Sequence, residues 1–364
     1  MHFSQFKFDR STGQDFHKTV NARVNAYFTE RHLSKKGGNA IIVKAMAMLS
    51  LFIVPYLLLL FGVVEGTAMV LAMWLIMGIG MAGMALGVMH DANHDAMSTS
   101  ARFNRIMGRI MDFIGGSSRV WKLQHNVLHH TYTNVEGADD DLRGPALLRF
   151  SPHQEYLPVH RYQYIYAWLL YPFTTLIRVI YMDYARGWHY MTIGLVKKGP
   201  ELRKLFLEIT AWKLFYIGYI IVLPMVFSSM SPYLIIGGFV LMHMVVGFTF
   251  ALIFQSAHIL PDAEYPEVPE EGKTGGNWAV HQVQTTANFA HGNKLLTWYA
   301  GGLNYQIEHH LFPTISHIHY PAISDIVQQT SAQFGLNYRN HPTFVSAIVA
   351  HGKMLQKLGN SPGH

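Results

Sequence analysis

Two pairs of long apolar stretches, each joined by a turn of a few residues, constrain this 364-residue chain more than any other feature. Residues 41–64 are apolar apart from Lys44, and residues 68–89 follow after only Glu65-Gly66-Thr67. The second pair, 210–230 and 232–255, turns around Ser228-Ser229-Met230-Ser231. At about 1.5 Å per residue, each stretch is long enough to cross a hydrocarbon core of about 30 Å. The pattern predicts an all-α membrane protein with four transmembrane helices in two hairpins. Glycines at 78, 80, 83 and 87 in the second span allow another helix to approach closely.

Composition agrees. Half of the residues are hydrophobic and only 14% are charged, below the roughly 25% of an average soluble domain. A net charge of +6 suits nucleic acid or an anionic membrane surface, and the apolar stretches select the membrane. No nucleic-acid partner is expected. Without cysteine there is no disulfide and no thiolate ligand, which fits a reducing compartment. Residues 1–40 lack the apolar core of a cleavable signal. With Phe3, Phe6 and Phe8, they read either as a partly helical cytoplasmic lead-in or as a mobile terminus.

Residues 90–209 carry half of the charged residues. Within them, 162–182 is rich in tyrosine and interrupted by Pro172 and Arg178, a composition that predicts an interfacial helix. Of the 28 Lys and Arg residues, 7 lie in 1–40, 14 in 90–209 and 5 in 256–364, with none in the hairpin turns. By the positive-inside rule, the termini, the central loop and the C-terminal part share the cytoplasmic side. The expected organisation is a segment 1–40, a membrane domain 41–330 and a cytoplasmic tail 331–364.

Three histidine clusters fall on that side. They are His90-Asp-Ala-Asn-His94, His125-Asn-Val-Leu-His129-His130, and His309-His310 at the end of Asn-Tyr-Gln-Ile-Glu-His-His-Leu-Phe-Pro. The i, i+4 pairs project from one face if their segments are helical. A lone interfacial histidine is usually a packing or hydrogen-bonding residue. His17, His32, His153, His160, His189, His317, His319, His341 and His351 read that way, as does His243 inside the fourth span. Seven clustered imidazoles exceed the four ligands of one tetrahedral zinc and suit two ions of higher coordination number. Imidazole alone does not choose among zinc, copper, iron and nickel. The Glu-x-x-His pairs of soluble di-iron carboxylate bundles are not evident.

The three clusters, the second extended to Gln124 and through Thr-Tyr-Thr-Asn134, resemble the histidine boxes of membrane fatty acid desaturases, over roughly residues 40–330. Gln306 in the third box and the HxxxHH spacing of the second resemble the front-end branch. The resemblance implies four membrane helices, interfacial helices and a cytosolic helical cap holding two iron ions. It also implies O2-dependent removal of two hydrogens from an acyl chain presented as acyl-CoA or acyl-lipid. The implied ligands are His90, His94, His125, His129, His130, His309 and His310. His258, in Gln-Ser-Ala-His after the last span, is the eighth candidate, and Gln306 is a ligand directly or through water. No catalytic residue is expected beyond the ligands.

Carboxylates commonly orient metal-bound imidazoles. Asp91, Asp95 and Glu308 are nearest in sequence and are the expected partners; Asn288 and His281 are weaker candidates. Asp139–Asp141 reads equally as such partners or as an acidic surface patch. Arg102, Arg105, Arg109, Arg119 and Lys122 suit CoA phosphates or lipid head groups alike. No His-Pro-Gly-Gly cytochrome b5 signature occurs, so a separate electron donor of the ferredoxin, rubredoxin or cytochrome b5 type, with its reductase, is expected. The chain resembles bacterial members, implying an inner-membrane enzyme with a cytoplasmic active site. Two alternatives carry other outcomes. A di-iron hydroxylase would yield an alcohol instead of an alkene, and a metal transporter would need ligands crossing the bilayer, which the spans lack.

Overall fold

A computed structural model describes residues 7–8, 13–144, 146–267, 273–274 and 276–360. Phe3 and Phe6 lie outside them. The described chain is mostly helical, and its strands are two parallel pairs of two residues each. After α1 (Gln14–Glu30) come α2 (Gly38–Leu60), α3 (Thr67–Asn93), α4 (Ala101–Gly108) and α5 (118–132). The next three are α6 (Pro158–Thr192), α7 (Pro200–Phe227) and α8 (Pro232–His258). The C-terminal part adds α9 (Trp278–Thr285), α10 (Gln306–Leu311), α11 (Tyr320–Gln333) and α12 (Phe344–Asn360).

Among the described residues, five helices are long and apolar enough to cross a membrane: α2, α3, α6, α7 and α8. In hydrocarbon a helix is the only single-segment way to pair every backbone N–H and C=O. The fifth, α6, is the segment expected at the interface. Pro172 does not end it, because the backbone tightens into a 3-10 turn at Tyr171–Phe173 and a π turn follows at Arg178–Met182. There the carbonyls of Tyr171 and Pro172 press on α8, where Gly247 leaves no space for a Cβ.

Helix α3 is the axis of the bundle, packed between α2 and α8. Two glycines make that possible. A Cβ on Gly80 would stand 2.8 Å from Met48 O and Phe52 N of α2, and one on Gly78 would stand 2.9 Å from Met242 O of α8. The core between these helices is lined by Met48, Phe52, Trp74, Met77, Met81 and Met242. Unbranched methionines fill the irregular gaps left where backbones approach this closely.

The cap packs on one end of the bundle. Phe16, Val20, Val24 and Phe28 along one stripe of α1 meet Ile323 and Val327 of α11. The stretch set apart in sequence as a tail, 331–364, is described as far as residue 360 and contains α12, which buries Met354, Leu355 and Leu358 against Ala167, Tyr171 and Ala251. Helix α12 is fixed by His351, whose Nδ1–H donates to Ile259 O at 3.0 Å while Nε2 accepts from Tyr171 O–H at 2.7 Å.

That pair of bonds needs a neutral ring, and burial lowers the His351 pKa to about 4. Below its ordinary value of about 6.5, the unfolded chain takes up a proton that the native ring refuses. The stabilisation is therefore complete above pH 6.5 and is lost as pH falls towards 4, with a slope of about 1.4 kcal/mol per pH unit. Thermal unfolding in detergent should show His351→Asn less stable at pH 7 by about 1–3 kcal/mol. The variant's stability should also fall less steeply between pH 6.5 and 4.5 than that of the parent protein.

Candidate metal centre

The two helices that carry the first and second boxes depart from regular α geometry. The end of α3 widens into a π turn at Met84–Met89, immediately before His90. In α5 the π stretch is Leu123–His129, and the N–H of His130 bonds His125 O, five residues back. With the extra residue per turn, side chains five apart come to lie one above the other. His125 and His130 thus face the same space, their Nε2 atoms 3.2 Å apart.

Side-chain amides stitch the segments together. Asn126 Nδ2 donates to Asn93 O at 2.9 Å, joining the first box to the second. Asn134 Nδ2 donates to His258 O at 3.0 Å, joining the second box to α8. Asn288 Oδ1 accepts from the N–H of Ile307 at 2.8 Å, bracing α10.

Eight histidines converge. His90, His94, His125 and His309 place one nitrogen each within 4.8 Å of all the others, and His129, His258 and His310 do the same. His130 lies between the sets, its Nε2 2.9 Å from that of His309, and it also groups with His310. The Nε2 atoms of His90 and His125 are 3.1 Å apart. No ring is more than 6% exposed. Gln306, fully buried, turns its amide toward His258.

This packing leaves polar atoms without partners. Nε2 of His94, His129 and His310, both nitrogens of His258 and both amide atoms of Gln306 lack a hydrogen bond. Each such buried group costs about 1–3 kcal/mol. Burial, then repulsion among the rings, holds His94, His125, His130, His309 and His310 well below the ordinary histidine pKa. Neutral rings with free lone pairs, aimed at common points, fit a metal centre. His129 differs. Burial lowers its pKa too, but Asp139 and Asp141 outweigh that and raise it to about 9. A cation at its Nε2 would draw on the same two carboxylates.

The remote nitrogens show which residues orient the rings. His129 Nδ1–H donates to both carboxylate oxygens of Asp139 at 3.1 Å. His310 Nδ1 meets Gln282 Oε1 at 2.8 Å, and His309 Nδ1 meets the Tyr320 hydroxyl at 3.2 Å. The expected orienting carboxylates are elsewhere. Asp91 accepts from Ser316 O–H at 2.7 Å and lies 2.9 Å from His317. Asp95 is exposed, at a φ of 57°, and its carboxylate accepts from Asn104 Nδ2 at 3.5 Å. Glu308 accepts from Asn288 Nδ2 and Tyr338 O–H, each at 2.7 Å, and burial raises its pKa to about 7. For Asp91 and Glu308 the reason is angular: on a helix, neighbours in sequence point about 100° apart, so a residue next to a ligand faces away from it. Asn288 likewise reaches no ring, and His281 packs against Phe8 outside both sets. Gln282 and Tyr320 carried no sequence signal. Trp121 is stacked on His125 at 4.5 Å and belongs to the apolar core that descends into the bundle.

Comparison with known proteins matches residues 66–342 to the fatty acid desaturase family. The sn-1 linoleoyl-lipid 6-desaturase of Synechocystis sp. is 35% identical over 98% of both chains. That of Arthrospira platensis is 34% identical over 99% of this chain and 96% of its own. The acyl-lipid (8-3)-desaturase of Physcomitrium patens is 35% identical over 95% of this chain and 72% of its own. The chain belongs to the fatty acid desaturase family.

This desaturase is thus an oxygen-dependent oxidoreductase of the membrane whose buried histidines are compatible with a metal centre. Asp139→Asn should lower metal affinity 10–100-fold, because it changes the remote partner of His129 and leaves one oxygen where two now accept from the N–H groups of Asn134 and Asp141. Asp95→Asn should leave affinity unchanged. Equilibrium metal titration of the purified apoproteins compares the two, and equal effects would sink the assignment of Asp139.

Proposed function

We propose that this desaturase inserts a double bond into an acyl chain of a membrane glycerolipid, with two iron ions bound by the converging histidines. His90, His94, His125 and His309 would hold one ion, and His129, His258 and His310 the other. His130 stands between the two, and Gln306 completes the second set directly or through water. The observation that carries this is the pair of buried imidazole sets at one end of the apolar bundle.

When bound, the iron pair supplies the O2-derived oxidant needed to remove hydrogen from an unactivated methylene, which has no acidic proton for a base to take. The balance is –CH2–CH2– + O2 + 2 e⁻ + 2 H⁺ → –CH=CH– + 2 H2O. The chain's own residues supply the setting. Asp139, Gln282 and Tyr320 accept Nδ1–H and so keep each opposite Nε2 lone pair free. Trp121 and the apolar side chains beyond it keep the adjoining space dry.

Four helices, α2, α3, α7 and α8, would cross the membrane as two hairpins, with α6 along the interface. The distribution of Lys and Arg favours the cytoplasmic side of a bacterial inner membrane for the boxes. A lipid-linked substrate is favoured by the names of the relatives, two of which are linoleoyl-lipid 6-desaturases. We take linoleoyl-lipid, desaturated at position 6, as the first substrate to try. The two electrons would come from a separate ferredoxin, rubredoxin or cytochrome b5 type carrier with its reductase.

The test is expression in a bacterial host supplied with linoleate, with lipid classes separated and double bonds located by mass spectrometry. A new unsaturated acyl chain in intact glycerolipid, absent with His129→Ala, is expected. Product found only as acyl-CoA would overturn the lipid substrate, and a hydroxylated chain would overturn desaturation itself.

A further inference from the structure

Lys44 is the one charged residue of the first apolar stretch, yet it is 1% exposed and faces into the protein. Its ammonium lies beside Gly87, where any Cβ would occupy its place, and donates to His317 Nε2 at 3.2 Å. On the far side of that ring, His317 Nδ1 lies 2.9 Å from Asp91 Oδ2, and both groups are almost wholly buried. The same carboxylate oxygen accepts from Ser316 O–H at 2.7 Å and from the His317 N–H at 3.3 Å. A buried Lys–His–Asp chain therefore joins three segments: α2, the turn between His90 and His94, and the chain just after His309 and His310.

Two of these segments supply three of the four rings of one imidazole set, the fourth being His125 of α5. His90 and His94 flank Asp91, and His309 lies eight residues before His317. The other set, His129, His258 and His310, takes nothing from the first box. A buried charge left without its counter-charge is strongly unfavourable, whereas removing both charges is often nearly neutral. Without Lys44, the Asp91 carboxylate would have to find compensation by moving, and the His90–His94 turn would move with it.

We propose that Lys44 is a positioning residue: through His317 it clamps Asp91, and so holds His90 and His94 in register with His309. The proposal rests on the metal-centre reading above. It is tested on the full-length apoprotein in detergent, titrated with Co2+ and followed by the visible absorption of the bound ion. His94→Ala and His258→Ala serve as references for loss of the first and second set. Lys44→Met should weaken binding 10–100-fold at one set only, and its titration should overlay that of His94→Ala. The double variant Lys44→Met/Asp91→Asn should recover the second equivalent, since the amide oxygen that replaces the carboxylate still accepts from Ser316 and needs no counter-charge.

Unchanged binding in Lys44→Met would overturn the proposal. So would equal loss at both sets with a lowered melting temperature of the apoprotein that the double variant does not restore, because Lys44 would then serve the fold as a whole. Failure of the parent protein itself to bind two equivalents would remove the two-set reading, and this proposal with it.

Discussion

Burying eight imidazole rings so closely that the Nε2 atoms of His130 and His309 stand 2.9 Å apart is unfavourable unless something takes up their lone pairs. Protons cannot do so for all of them. Each added charge would repel the next ring in a space with almost no water, and burial with mutual repulsion drives the pKa values down accordingly. Hydrogen bonds cannot either, because the rings face one another with too few donors and several nitrogens are left with none. Bound cations would satisfy the whole group together. The need to aim every ring at shared points then sets what the surrounding helices must do.

They do it by giving up regularity in selected places. The π turns before His90 and through His125–His129 rotate rings into register that an unbroken α-helix would point elsewhere. Amides of Asn126, Asn134 and Asn288 fasten segments far apart in sequence. Below them, Gly78 and Gly80 let α3 touch both α2 and α8 through backbone atoms, so the first box stands on a rigid base. Charge enters sparingly. Asp139 sits behind His129, and Lys44 with Asp91 lies behind the first box, each buried with a partner. In a site of low polarity such pairs place a ring more firmly than surface contacts would.

Much of this was legible in the residues. The four apolar stretches are four of the five long helices, because hydropathy alone decides which segments tolerate lipid. The fifth, α6, was harder to read, since Pro172 and Arg178 break its pattern while contacts with α8 keep it helical. The seven boxed histidines and His258 converge, their clustering being legible and their common centre implied by resemblance. The orienting partners were mostly illegible. Nearness in sequence suggested Asp91, Asp95 and Glu308, but a helix turns Asp91 and Glu308 away, Asp95 sits exposed past a helix end, and the groups that reach the rings come from α9, α11 and the loop after α5. His317 was read as an ordinary packing histidine. Only the fold sets it between Lys44 and Asp91.

What the sequence determined by itself is therefore the solvent of each segment and the chemistry of the ligands, because apolar length and imidazole clustering are local properties. What only the tertiary structure decided is which rings share a centre, which residues hold their remote nitrogens, and where the buried charges pair. Those depend on directions of side chains brought together across more than two hundred residues, and a direction exists only once the helices have packed.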